Sequence, residues 1–144
     1  MKAVLLALSL LASALPSGGR PSDRYATGQV WEYRTRPGEE GSLVRIQAIE
    51  YDAAALRGGQ IYHLSVIGLH LKDPTIAPVL AHVPVARATL DASVTRLHEG
   101  AATFPDAQPG IAEWHDARGG VYTESVADIV GMIDAQTAPR TPPM

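Results

Sequence analysis

Gln29-Val30-Trp31-Glu32-Tyr33-Arg34-Thr35 alternates strictly, with Trp31, Tyr33 and Thr35 on one side and Glu32 and Arg34 on the other. A period of two marks a strand with one buried and one wet face, and aromatic and β-branched residues suit the pleated surface. Leu43–Glu50 repeats the pattern, Val44, Ile46 and Ala48 falling opposite Arg45 and Gln47. Between the two, Arg36-Pro37-Gly38-Glu39-Glu40-Gly41 offers a proline to fix φ at the first turn position and a glycine to accept positive φ at the second, so the pair reads as a hairpin. Ile61–Leu69 is apolar on both sides and is expected to lie centrally in the sheet, entered through the Gly58-Gly59 turn.

Beyond Lys72-Asp73-Pro74 the period lengthens. Ala86, Leu90, Val94 and Leu97 recur at helical spacing and Pro84 suits a first helical turn, which predicts a helix over 84–98, closing near Gly100. A proline-bearing loop, Phe104–Gly110, leads to a short helix over 111–118 that Gly119-Gly120 ends, and Val121-Tyr122-Thr123 adds a brief strand. Ser125 with Asp128 three residues on has the form of a capping box. Val126, Ile129, Val130 and Ile133 then follow on one helical face. The sum is an α+β domain: a small antiparallel sheet of three to four strands with two to three helices packed on one face.

The flanks differ in character from this domain. Lys2 precedes an apolar run, Ala3–Ala12, and Ala12-Ser13-Ala14 has the small residues a signal peptidase requires, so residues 1–14 read as a leader cleaved after Ala14. Residues 15–27 read as a tether, 28–136 as the single domain, and 137–144, with three prolines, as a disordered tail. The reading implies an exported protein, periplasmic or secreted, with no membrane span once the leader is removed. Forty-six per cent hydrophobic and 19% charged residues exclude a disordered chain. The absence of cysteine excludes disulfides, thiolate metal sites and thiol nucleophiles, so the core alone must hold the fold. A net charge of −3 with dispersed basic residues gives no footprint for a nucleic acid.

Candidate chemistry is sparse. The five histidines show no HExxH or HxH spacing, and strand alternation places His63 and His70 on opposite faces, so neither a metal nor another cofactor is expected. Ser65 falls mid-strand and Ser125 at a helix cap, neither on a nucleophile elbow. Glu39 and Glu40 form a carboxylate pair at the hairpin tip with Arg36 as a charge partner, where a rigid sheet would present them to a partner. His82, just ahead of the predicted helix, should stay neutral at the positive end of its dipole, with Arg87 beside it.

Gly28-Gln29-Val30-Trp31-Glu32-Tyr33-Arg34-Thr35-Arg36-Pro37-Gly38-Glu39-Glu40-Gly41-Ser42 resembles the start motif of a family of small bacterial proteins of no known activity. Two later blocks resemble its further landmarks: His82-Val83-Pro84-Val85, continued by Leu90 and Ser93-Val94, and Val121–Val126. The resemblance spans residues 28–133 and implies no activity, cofactor or partner. The Ala-rich, Arg-over-Lys composition fits a bacterial origin as well.

The sequence therefore points to an exported, non-enzymatic protein that binds a protein or envelope component through Arg36, Glu39, Glu40, His82 and Arg87. The alternative is a small hydrolase-like enzyme with His82 as general base and Glu39 or Glu40 as its carboxylate. A metal or small-ligand carrier is a third reading.

Overall fold

The three strand-like runs become the middle of a sheet. In the computed structural model, which describes residues 24–52 and 59–143, they are β1 (Val30–Tyr33), β2 (Leu43–Asp52) and β3 (Gly59–Ile67). β4 (Leu80–Ala86) and β5 (Val94–Leu97) add the two edges, giving an antiparallel order β4-β3-β2-β1-β5. Three helices, α1 (Arg87–Ser93), α2 (Gln108–Asp116) and α3 (Val126–Thr137), complete an α+β fold. The leader, most of the tether and Gly58 of the predicted turn lie outside the described residues.

The sheet has one strand more than expected because the segment read as a single helix splits in three. Pro84 lies within β4, opposite His63. The amide of Tyr122 donates to Pro84 O, so the backbone edge of Pro84 faces away from β3, where its missing N–H deprives the sheet of nothing. After α1, Val94–Leu97 pairs with β1, Tyr33 opposite Val94 and Trp31 opposite Leu97. Pairing the open edge of β1 overrides a weak helical periodicity. Leu97, which the helical reading would bury, is exposed. Val121–Thr123 yields only one parallel bridge, Val85 with Tyr122.

One face of the sheet is apolar. Trp31, Tyr33, Val44, Ile46, Tyr62, Leu64, Val66, Val83 and Val85 form a continuous core with Leu90 of α1 and Val126, Ile129 and Val130 of α3. Tyr25, placed in the tether by the sequence reading, belongs to this core. It meets Trp31 and Tyr62 edge to face, and its hydroxyl donates to Asp91. The expected cap on α3 is present, Asp128 N donating to Ser125 Oγ. A second hydroxyl, Ser93 Oγ, accepts from Val126 N and ties the end of α1 to the start of α3.

The predicted hairpin turn forms with Gly38 at φ 88° and Glu39 N donating to Arg36 O. Its charged residues are not a free tip, however. Glu39 is only 2% exposed; the Arg36 guanidinium donates to both its carboxylate oxygens, at 2.7 and 2.9 Å, and reaches Asp134 of α3 at 2.9 Å. Glu39 also accepts from His70 N, and Asp134 from Lys72 N. Arg36 holds the Glu39 carboxyl below its usual range, and the Lys72 amide, then Arg36, do the same for Asp134. One cation thus joins the β1–β2 hairpin, the β3–β4 connection and α3. Removing it leaves two buried carboxylates without a counter-charge. Arg36→Ala is expected to lower stability by about 3 kcal/mol in urea denaturation, whereas Glu40→Ala, on an exposed side chain, should change it by less than about 0.5 kcal/mol.

Candidate functional site

The second face of the sheet is polar at its centre, and a one-residue irregularity in β2 makes it so. Ile46 pairs with Leu64 but Ala48 pairs with His63, leaving Gln47 as an extra residue. A bulge of this kind reverses which face every later residue takes. Ile49 turns to the apolar core. Ala48 and Glu50 turn with His63 to the other side, which corrects the sequence reading of Ala48 as a partner of Val44 and Ile46. A matching irregularity in the β3–β4 pairing lies between Leu64 and Val66, beside His82. Gln47 Nε2 donates to Ser65 Oγ and to Pro105 O, and Ser65 donates to Ala81 O, so the polar atoms around both irregularities are paired.

On this face His63 and His82 meet. Their rings stack with centroids 5.0 Å apart, and His63 Nδ1 lies 2.8 Å from His82 Nε2, within hydrogen-bonding distance. Glu50 Oε1 sits 3.3 Å from His63 Nε2 but out of hydrogen-bonding alignment, so that buried nitrogen has no hydrogen-bond partner among the described residues. His115 Nε2 of α2 donates to the same Glu50 oxygen at 2.7 Å. Trp114 closes edge-on over His63, centroids 5.1 Å apart, and its indole N–H donates to Gly120 O. α2 lies close over His82: a Cβ at Gly110 would come 2.5 Å from His82 Cβ, so only glycine fits there.

Both histidines are held neutral by their surroundings. Burial, opposed in part by Glu50, lowers the pKa of His63; burial and then the neighbouring His63 lower that of His82 to about 4. The sequence reading expected a neutral His82 from a helix dipole. The cause is different, because His82 lies on β4 and not before a helix.

Beside His82 the sheet edge opens into a cleft of about 430 Å³ between β4, α2, the 120–122 segment and α3. Val83, Pro84, Val121, Tyr122 and Ile133 give it apolar walls, with Trp114 and His82 at one side.

The residues singled out in the sequence do not gather here. His82 alone reaches the cleft. Arg36 reaches Asp134 of α3 and Glu39 pairs with Arg36, neither lining the cleft, and exposed Glu40 accepts from Gly38 N. Arg87 begins α1, 3.7 Å from Asp91 and over the Tyr25 ring. His70 is outside the strand and contributes backbone atoms to the Arg36 cluster. Glu50 and Trp114 carry no site signal in the sequence, and His115, between Trp114 and Asp116, reads there as surface or cap chemistry. The run Ile61, His63, Ser65 signals His63 alone, its alternation putting two polar side chains on one face of a strand otherwise read as apolar throughout.

Among the described residues no group of three or more His, Asp and Glu side chains is arranged to hold a metal ion, and no helix is long and apolar enough to cross a membrane. No family model, curated protein or solved structure matches the chain.

The histidine pair gives the fold a pH dependence. Because folding lowers both pKa values, the unfolded chain binds more protons below its own histidine pKa of about 6.5. Stability is therefore full above pH 6.5 and declines as pH falls toward about 4, the folded value of His82. The urea midpoint should fall between pH 7.5 and 5.0, and His82→Gln should reduce that fall.

Proposed function

We propose that this chain is a binding protein without catalytic activity, and that its site is the cleft beside His82. One observation carries the reading: an apolar cleft of ligand-sized volume has at its wall an imidazole positioned from behind by a second, fully buried imidazole. Small-molecule sites commonly have this composition, apolar walls with few fixed polar groups. A histidine with a pKa near 4 is a poor general base at neutral pH, and the residues lining the cleft include no serine, threonine or carboxylate. The hydrolase alternative asks for Glu39 or Glu40 near His82. Glu39 pairs with Arg36 and does not line the cleft, and the carboxylate behind His82 is Glu50, reached through His63.

The proposal includes export, supported by the sequence of residues 1–14, and kinship with the small bacterial family whose motifs the chain resembles. Burial of Glu39 moves the expected contact surface from the hairpin to the cleft.

The test is a screen of uncharged aromatic fragments by amide and indole NMR shifts. Binding should move the signals of Val83, Val121, Tyr122 and the Trp114 indole together, and Val121→Trp, which fills the cleft, should abolish the shifts. Fragments that shift only other surfaces, or none at millimolar concentration, would refute the assignment. For export, protein recovered from the periplasm of an expressing bacterium should begin at Leu15 by intact mass, and a full-length cytoplasmic product would contradict it.

A further inference from the structure

The order of protons along Glu50, His63 and His82 fixes what the cleft can recognise. Glu50 Oε1 is 3.3 Å from His63 Nε2. The contact is not aligned as a hydrogen bond, yet a nitrogen lone pair facing a carboxylate oxygen at that distance is repelled and an N–H attracted, which favours the His63 proton on Nε2. Glu50 is held in place by the His115 N–H on the same oxygen. With its proton on Nε2, a neutral His63 presents a lone pair at Nδ1. The 2.8 Å contact then requires His82 to donate from Nε2. A neutral His82 that carries its proton on Nε2 has a lone pair, and no proton, at Nδ1. No hydrogen bond to that nitrogen is found among the described residues, and it stands beside Gly110, whose missing side chain keeps it from being covered: a Cβ there would lie 3.2 Å away.

The walls narrow the choice further. None of the residues lining the cleft carries a formal charge when His82 is neutral. Trp114, Tyr122 and Pro84 among the lining residues are ring-bearing side chains, a composition suited to an aromatic ligand. The Trp114 N–H is committed to Gly120 O, so it is not available to a ligand acceptor. The cleft volume accommodates a two-ring molecule.

We infer that the cleft takes an uncharged aromatic molecule bearing a hydroxyl or N–H, whose proton is accepted by His82 Nδ1, with His63 and Glu50 as positioning residues. This rests on the ligand-binding reading of the same cleft and adds the chemical class of the ligand.

The test compares three probes of one shape by NMR titration at pH 7.5: 2-naphthol, 2-methoxynaphthalene, in which the donor is capped, and 2-naphthoate, in which it is replaced by an anion. On the wild-type chain 2-naphthol should bind about five- to tenfold more tightly than 2-methoxynaphthalene, the range of one net hydrogen bond, and 2-naphthoate should be the weakest. His82→Phe should bring the two neutral probes within about twofold of each other while 2-methoxynaphthalene still binds, since its apolar contacts remain. Glu50→Gln releases the proton order and should shrink the donor preference without abolishing binding, an effect that mere support of the fold would not produce. Equal wild-type affinities for the neutral probes, or tightest binding of 2-naphthoate, would overturn the donor inference and leave the cleft as a binding site. Failure of all three probes to shift cleft signals would overturn both readings. The wild-type comparison decides the matter even if a variant does not fold.

Discussion

A single extra residue in β2 sets the character of both faces of the sheet. Had Gln47 been in register, Ile49 would lie on the polar side and Glu50 would point into the core, where an unpaired carboxylate is costly. With the bulge, Ile49 joins the apolar cluster and Glu50 comes to stand against His63. The arrangement behind the cleft follows from this shift, because it sets Glu50 against His63, His63 lies against His82, and α2 covers the group with Trp114 and His115. The polar atoms of Gln47 and Ser65 keep the irregularity from leaving unpaired groups in a covered layer.

A different device ties the hairpin to α3. Arg36 gathers two carboxylates that would each be unfavourable alone, and with the backbone at His70 and Lys72 the cluster draws on three separate parts of the chain. In a protein without disulfides such a clamp fixes the hairpin, the β3–β4 connection and α3 relative to one another. A buried ion pair seldom adds net stability over apolar packing, yet it strongly favours one arrangement of its partners once the charges are there. Of the residues that the sequence offers for recognition, Arg36 and Glu39 are therefore ones the fold uses to define itself.

What could be read in the sequence follows the range of the interactions involved. β1, β2, β3 and α3 were legible because Trp31-Glu32-Tyr33 and Val126–Ile133 carry their own periodicity, and the Pro37-Gly38 turn and the Ser125 cap need only neighbours in sequence. β4 and β5 were not, because Pro84 and Val94 are compatible with a helix locally and become strands only when β3 and β1 present edges to them. The site was legible by residue type at His82 and by nothing else. Bringing Glu50, His63, His82 and His115 together needs two register shifts and the docking of α2, none of which any local pattern records. Tyr25 was missed for a similar reason: its core partners, Trp31 apart, come from β3 and α1.

The sheet order carries a consequence for how the chain assembles. β2 and β3, like β3 and β4, are neighbours in sequence, so their pairing closes short loops and is expected early. β5 reaches β1 only after α1 has carried the chain from one edge of the sheet to the other, and Trp31 waits for Leu97. That late pairing also delivers Ser93, whose hydroxyl receives the first amide of α3. The cleft needs β4, α2, the 120–122 segment and α3 all in place. During synthesis, then, the cleft comes into being only when nearly the whole domain has been made, and a chain stopped before α3 lacks one of its walls.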